Sequence, residues 1–141
     1  MRGTYAAIPF GYHLDGMGHR HTVMLVDDDY DTREAFTVVA EAAGLDAVVA
    51  MNGREALDRL RAGLRPCAIV LDWAMPEMNG AEFREAQIAD PSLADIAVAV
   101  TSGAAWAIER EAKRLGLTTF LPKPIDPDRM LTVFGTLCQD R

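Results

Sequence analysis

The feature that most constrains the fold is a short apolar run, residues 68–71 (AIVL), that leads directly into Asp72. A run this short and this apolar is typical of a strand buried on both faces inside a parallel sheet. Pro76 and Gly80 then indicate a turn. Open α/β sheets bind ligands where their strands end, so Asp72 is a candidate site residue. The alternative is that Asp72 caps the next helix, because aspartate is a preferred N-cap residue.

Size and composition are those of one globular domain. The chain has 141 residues, of which 50% are hydrophobic and 25% charged, and its net charge of −7 argues against nucleic acid as a direct partner. No apolar run approaches the roughly 18 residues of a membrane span, and no signal-peptide core is seen, so we expect a cytoplasmic protein without membrane contact. Cys67 and Cys138 show neither metal spacing nor disulfide-scaffold density, which predicts free thiols in a reducing compartment.

Regular alternation of strand-like and helix-like segments predicts the fold class. Strands are predicted over residues 22–26, 45–50, 68–71, 96–100 and 118–121. Helical segments follow each strand, and Gly44, Gly63 and Gly116 are typical of residues that end helices. This alternation indicates a doubly wound α/β domain, with a five-stranded parallel sheet and five helices on its two faces. The more polar second and fifth strands suit the edges, which fits the flavodoxin-like order 2-1-3-4-5.

Residues 1–20 stand apart from this pattern. They show no sustained hydrophobic period and contain several glycines, so we expect an N-terminal extension, partly disordered, followed by the domain over 21–141. His13, His19 and His21 lack companion ligands, which favours a solvated tail over a metal site.

Polar residues follow four of the predicted strands. Asp27 and Asp28 follow the first strand, Asp72 the third, Thr101 the fourth and Lys123 the fifth. Because the carboxyl ends of parallel strands lie along one edge of a sheet, these side chains are expected to converge. Each residue has a simpler explanation on its own: a helix N-terminal charge, a cap or a surface cation. Their coincidence favours a site.

The residue types fit phosphoryl chemistry with a divalent cation. Carboxylates at close range repel one another unless a cation binds between them, and Mg²⁺ prefers oxygen ligands. An aspartate beside Mg²⁺ can attack a phosphoryl group, whose other oxygens then need partners such as the Lys123 ammonium and the Thr101 hydroxyl. The predicted magnesium ligands are the carboxylates of Asp27, Asp28 and Asp72 and the backbone carbonyl of Ala74.

Over about residues 21–141 the sequence resembles the receiver domain of two-component response regulators. The matching motifs are Val26-Asp27-Asp28-Asp29, Leu71-Asp72 with Met75-Pro76 and Met78-Asn79-Gly80, Thr101-Ser102, and Lys123-Pro124. The resemblance implies that Asp72 accepts a phosphoryl group from a phosphohistidine on a sensor histidine kinase or a histidine phosphotransfer protein, with Mg²⁺ as the cofactor. It also implies a cis peptide before Pro124, and a switch in which Thr101 moves to the phosphate and Phe120 turns inward.

The implied function is a phosphorylation-activated signalling switch in a phosphorelay, a phosphoacceptor that is not a turnover enzyme. The chain resembles single-domain, chemotaxis-regulator-like members, or it is a fragment of a larger regulator. A downstream protein is expected to bind the face of the fourth helix, fifth strand and fifth helix. Whether Trp106, at the start of the fourth helix, is exposed there or buried stays open, as do a homodimer and the phosphate lifetime.

Two other functions are open. One is a Mg²⁺-dependent phosphohydrolase that turns over an aspartyl-phosphate; Asp72 is followed by Trp73 and Ala74, so the second acid that such an enzyme needs to activate water is missing there. The other is a receiver-like interaction module that takes no phosphate, which the presence of every site residue argues against.

Overall fold

The elements alternate strictly between strand and helix along the chain. A computed structural model of the protein describes residues 21–138, so the predicted extension with His13 and His19 lies outside the described residues. The expectation of a solvated tail is wrong for His21, which is buried directly before the first strand. The elements are β1 (Thr22–Val26), α1 (Tyr30–Ala42), β2 (Asp46–Ala50), α2 (Gly53–Arg61), β3 (Ala68–Asp72), α3 (Gly80–Ala89), β4 (Ala97–Ser102), α4 (Ala105–Arg114), β5 (Phe120–Pro122) and α5 (Pro127–Leu137). Within the described range, no helix is long and apolar enough to cross a membrane.

The five strands form one sheet in the order β2-β1-β3-β4-β5, and every pairing is parallel. The predicted doubly wound α/β fold is therefore confirmed, with the more polar β2 and β5 at the edges. Strand β3 is buried along its whole length, Asp72 included. Helices cover both faces of the central strands, which is why this strand is apolar on both sides.

Two hydrophobic clusters, one on each face of the sheet, form the core. Alternate strand residues point to opposite faces. Leu25 and Val70 pack with α1 and α5, whereas Met24 and Ile69 pack with α2, α3 and α4. The strands are thus held from both sides, and the carboxyl ends of β1 and β3 have fixed positions beside each other.

The helix ends follow local signals in the sequence. Gly44, Gly63 and Gly116 follow α1, α2 and α4 with positive φ angles of 86°, 117° and 83°. Asn79 caps α3: its side chain accepts a hydrogen bond from the Glu82 N–H, and the Glu82 carboxylate accepts one from the Asn79 N–H. The alternative role of Asp72 as the cap of this helix is therefore wrong.

Strands β4 and β5 differ from their predicted bounds. Strand β4 runs on through Thr101 and Ser102, because Thr101 pairs with Asp72 on one side and with Leu121 on the other. Strand β5 begins at Phe120, where its pairing with Val100 of β4 begins. Pairing with a neighbouring strand decides where these strands begin and end, and the hydrophobic periodicity of one segment does not reveal that pairing.

The prediction of two free thiols is wrong, because Cys67 and Cys138 form a disulfide. Their Cα atoms lie 5.2 Å apart at a sequence separation of 71. Cys67 precedes β3 and Cys138 is the C-cap residue after α5. Helix α5 packs along the sheet so that its C-terminal end meets the start of β3. The disulfide lies at the amino end of β3, and Asp72 lies at the carboxyl end.

Candidate metal and phosphoacceptor site

The side chains predicted to converge stand at the carboxyl ends of their strands. Asp27 and Asp28 follow β1, Asp72 ends β3, and Thr101 is its register partner in β4. Lys123 follows β5, and its N–H donates a hydrogen bond of 3.2 Å to the carbonyl of Ser102 in β4. The parallel sheet brings these distant residues to one edge.

Three carboxylates form a compact acidic cluster at this edge. Asp27, Asp28 and Asp72 each offer an oxygen, and these oxygens lie within 4.8 Å of one another. Asp27 and Asp72 are buried, whereas Asp28 is exposed. A cluster of oxygen donors that is closed on one side and open to solvent on the other suits Mg²⁺, which keeps several of its waters.

One lysine forms ion pairs with two of these carboxylates. The Lys123 ammonium nitrogen lies 2.9 Å from an oxygen of Asp27 and 3.4 Å from an oxygen of Asp72. Burial lowers the pKa of Lys123, but the two carboxylates outweigh burial and leave the pKa raised, so the ammonium stays charged. The peptide bond from Lys123 to Pro124 is cis. Lys123 is thus a cation of the site and not a solvated surface charge.

Asp72 titrates unusually for an aspartate. Burial, and then the negative charge of Asp27, raise the pKa of Asp72 to about 6, against opposing effects of Lys123 and of the Ala74 N–H. Asp72 is therefore mainly ionised at neutral pH and is repelled by Asp27, and Lys123 offsets only part of that repulsion. A divalent cation between the carboxylates would relieve the rest.

The Thr101 hydroxyl is fully buried and has no hydrogen-bond partner among residues 21–138. An unsatisfied buried hydroxyl costs about 1–3 kcal/mol, so such a group calls for a ligand or a movement that satisfies it. Phe120 pairs with Val100, next to Thr101 in β4, and is half-buried against the cluster of α2, α3 and α4.

Two residues that the sequence reasoning did not assign to the site hold Asp27 in place. The Asp29 N–H donates a hydrogen bond of 2.9 Å to the Asp27 carboxylate, while the Asp29 side chain caps α1 by accepting from the Thr32 N–H. An Arg33 guanidinium N–H donates a hydrogen bond of 2.9 Å to the Asp27 carbonyl. Arg33 lies one helical turn after the acidic run 27–29, and this spacing was the feature of the sequence that could have indicated its contact with Asp27.

Tight contacts hold the loop after Asp72. The Trp73 N–H donates to the Thr101 carbonyl at 3.1 Å, and the Trp73 carbonyl accepts from the Gly80 N–H at 3.0 Å. A Cβ on Gly80 would lie 2.7 Å from the Trp73 ring and 2.9 Å from the Asp72 carbonyl oxygen. Only glycine lets α3 begin this close to the end of β3, which gives the Met78-Asn79-Gly80 motif its physical reason.

The same loop stores backbone strain. Glu77 and Met78 have positive φ angles of 47° and 73°, which L side chains rarely adopt. The Met78 carbonyl accepts a hydrogen bond of 3.2 Å from the Gly53 N–H at the start of α2. Strain of this kind clusters at functional sites, where surrounding contacts hold it in place.

Comparisons with known proteins agree with this geometry. Residues 23–134 match the model of the response regulator receiver domain. The chain is similar to the chemotaxis protein CheY of Thermotoga maritima, with 34% identity over 82% of this chain and 93% of that protein. It is similar to the polar-differentiation response regulator DivK of Brucella anthropi, with 33% identity over 84% of this chain and 97% of that protein. Among solved structures, the chemotaxis protein CheY4 of Vibrio cholerae superposes with a TM-score of 0.76 at 27% identity, over 83% of this chain and 98% of that one.

Proposed function

This chain belongs to the response regulator receiver domain family, which acts in phosphorylation-dependent two-component signalling, and on that premise we propose that Asp72 is its phosphoacceptor. The observation that carries the proposal is the pairing of Lys123 with both Asp27 and Asp72, beside the unpartnered hydroxyl of Thr101. These groups supply a nucleophile, a cation and a hydrogen-bond donor at one place. The chain is a switch that changes state when it is phosphorylated, and not a turnover enzyme.

In the proposed transfer, a carboxylate oxygen of Asp72 attacks the phosphorus of a phosphohistidine. A P–O bond forms as the P–N bond breaks, and the imidazole nitrogen leaves with the bonding pair. Lys123 then pairs with one phosphoryl oxygen as a point charge, and Thr101 donates to another. Mg²⁺ bound by Asp27, Asp28, Asp72 and the Ala74 carbonyl would neutralise charge on the transferred group.

The proposed phosphoryl donors are a sensor histidine kinase or a histidine phosphotransfer protein. The proposed location of the chain is the cytoplasm, where it would meet these donors. The modified Asp72 carries about two added negative charges, which bias a rearrangement at α4, β5 and α5. Thr101 and Phe120, which join β4 to β5 beside Asp72, are the proposed switch residues. A homodimer through this face is an alternative output, and sedimentation of the phosphorylated and free forms distinguishes the two.

Phosphoryl transfer is tested with acetyl phosphate as a small donor. We expect one phosphoryl group per wild-type chain when Mg²⁺ is present, and at least about 100-fold less label with EDTA or with Asp72→Asn, because each lacks an essential group. Asp31→Asn is the matched control, since Asp31 is an exposed aspartate at the start of α1, and it should label like wild type. Intact-protein mass spectrometry measures the label.

Each rival function has its own signature in that experiment. Continuous release of phosphate from small phosphomonoesters by the wild type would favour a phosphohydrolase. Unlabelled wild type, with Mg²⁺ present and the fold intact by circular dichroism, would leave a receiver-like interaction module. Label on Asp72→Asn would assign the phosphoacceptor to another residue.

The proposed output surface centres on Trp106, whose exposure the sequence left open. Trp106 is 85% exposed at the start of α4. Exposed tryptophans are frequent binding hot spots, so Trp106→Ala should weaken binding of the downstream partner by about 10- to 30-fold without changing Asp72 labelling. Ile88→Ala is the control, since Ile88 is an exposed apolar residue on α3. Titration calorimetry with the phosphorylated protein measures the affinity, and equal affinities would remove Trp106 from the interface.

A further inference from the structure

A hydrogen bond joins the residue after the phosphoacceptor to α4. The Trp73 indole N–H donates to a carboxylate oxygen of Glu111 at 2.9 Å, across 38 residues of sequence. Trp73 is only 6% exposed, whereas the Glu111 side chain is 48% exposed. An indole N–H that donates to a carboxylate is a charge-assisted hydrogen bond, which is stronger than one between neutral groups.

The two ends of this bond differ in how firmly they are held. Trp73 is fixed through its backbone to β4 and α3, and its ring packs on the backbone of Gly80. Helix α4 is held less firmly: Ala104 at its N-cap makes no side-chain hydrogen bond, and Ala112 is its one fully buried side chain among those that the structure describes. Ile108 and Leu115 add partly buried contacts. Two side chains from neighbouring elements hold α4 by hydrogen bonds: the Trp73 indole donates to Glu111, and the Arg84 guanidinium of α3 donates to the carbonyl of Leu115 at 2.9 Å. Of these two contacts, the indole bond is the one that starts at the residue after Asp72.

We propose that Glu111 is a positioning residue through which α4 responds to the phosphoacceptor loop, because its carboxylate holds the indole of Trp73. The inference rests on the proposed function and adds a route from Asp72 to the face that carries Trp106. Trp73 follows Asp72 directly, so any displacement of that backbone by a ligand moves the donor of the bond. Glu111 carries this displacement to α4, at a position five residues after the exposed Trp106.

Hydrogen exchange, measured by mass spectrometry, tests the route with beryllofluoride and Mg²⁺ as the probe. In wild type, both the loop over residues 72–79 and helix α4 should change their exchange rates by about threefold or more on addition of the probe. In Glu111→Ala the loop should respond as in wild type, while the response of α4 should fall below about a third of its wild-type value. Glu111→Gln should keep most of the response, because its amide oxygen can still accept from the indole.

Glu109→Ala is the matched control for the loss of a negative charge from this helix. Glu109 is 49% exposed, close to the value for Glu111, and each of the two carboxylates pairs with a basic residue of α4: Glu109 with Lys113 at 2.6 Å and Glu111 with Arg114 at 3.9 Å. Glu109 differs in that no indole donates to it among the described residues. Its α4 response should equal that of wild type. A second readout needs no ligand: in a Trp106→Phe background, which leaves Trp73 as the one tryptophan, the emission maximum should shift in Glu111→Ala and not in Glu111→Gln.

The outcomes separate the two proposals. If the loop over 72–79 of the wild type does not respond to beryllofluoride with Mg²⁺, the proposed function is overturned and this inference with it. If the loop responds and α4 responds equally in wild type and Glu111→Ala, the route through Glu111 is overturned and the proposed function stands. An equal loss of the α4 exchange response in Glu109→Ala and Glu111→Ala would also overturn the route through Glu111, because the loss of negative charge from the helix would then explain the effect.

Discussion

Reduction of the Cys67–Cys138 disulfide is expected to lower the free energy of unfolding by about 4 kcal/mol, a large fraction of the 5–15 kcal/mol typical of a domain. The cross-link spans a sequence separation of 71, so it removes much conformational freedom from the unfolded chain. Both sulfurs are buried, and two packed thiols would leave the folded state nearly unchanged. The loss should therefore come mainly from the unfolded state, and the urea m-value should rise as that state expands.

Urea denaturation with and without a thiol reductant measures this loss. The control is the Cys67→Ala/Cys138→Ala double variant, which should unfold like the reduced wild type and be unaffected by reductant. A difference under about 1 kcal/mol between oxidised and reduced wild type would contradict the expectation. Alkylation of acid-quenched cells then reports which form exists in vivo, since disulfides are rare in a reducing cytoplasm.

The sequence was most informative where one segment decides its own structure. Buried β3 could be predicted because both of its faces meet helices, so no polar residue interrupts residues 68–71. The convergence of Asp27, Asp72 and Lys123 could be predicted because parallel strands end along one edge. These expectations depend on strand direction alone, and they needed no knowledge of which side chains touch.

Contacts between residues far apart in the chain could not be predicted from the sequence. The Cys67–Cys138 bond depends on where α5 ends when it is packed on the sheet, and no spacing rule contains that distance. The exposure of Trp106 was open because α4 has a narrow apolar face, so its rotation is set by neighbouring elements. Strand β5 begins at residue 120 and not at the predicted residue 118, because its pairing with β4 begins there. The local sequence pattern predicts the strands and helices, whereas the packing of these elements decides which distant residues come into contact.

Gly80→Ala is expected to lower the free energy of unfolding by about 2–3 kcal/mol and to slow labelling of Asp72 by about 10- to 100-fold. An added Cβ would lie 2.8 Å from the Trp73 Cα and 2.9 Å from the Asp72 carbonyl oxygen. Both are backbone atoms, so the clash cannot be relieved by a side-chain rotation. Either α3 or the end of β3 must move, and movement of β3 displaces the Asp72 carboxylate from Lys123.

Gly103→Ala is the matched control for the stability measurement, because a Cβ at Gly103 meets nothing within 4 Å. It should leave the free energy of unfolding within about 1 kcal/mol of wild type, since the same methyl group enters open space. Urea denaturation compares the two variants, and acetyl phosphate labelling with Mg²⁺ follows Asp72 in Gly80→Ala. If the free energy of unfolding of Gly80→Ala equals that of Gly103→Ala, the start of α3 can move to accommodate the methyl group without loss of stability. Normal labelling in a destabilised Gly80→Ala would show that α3 moves and β3 does not, which separates the packing role of Gly80 from its effect on the phosphoacceptor.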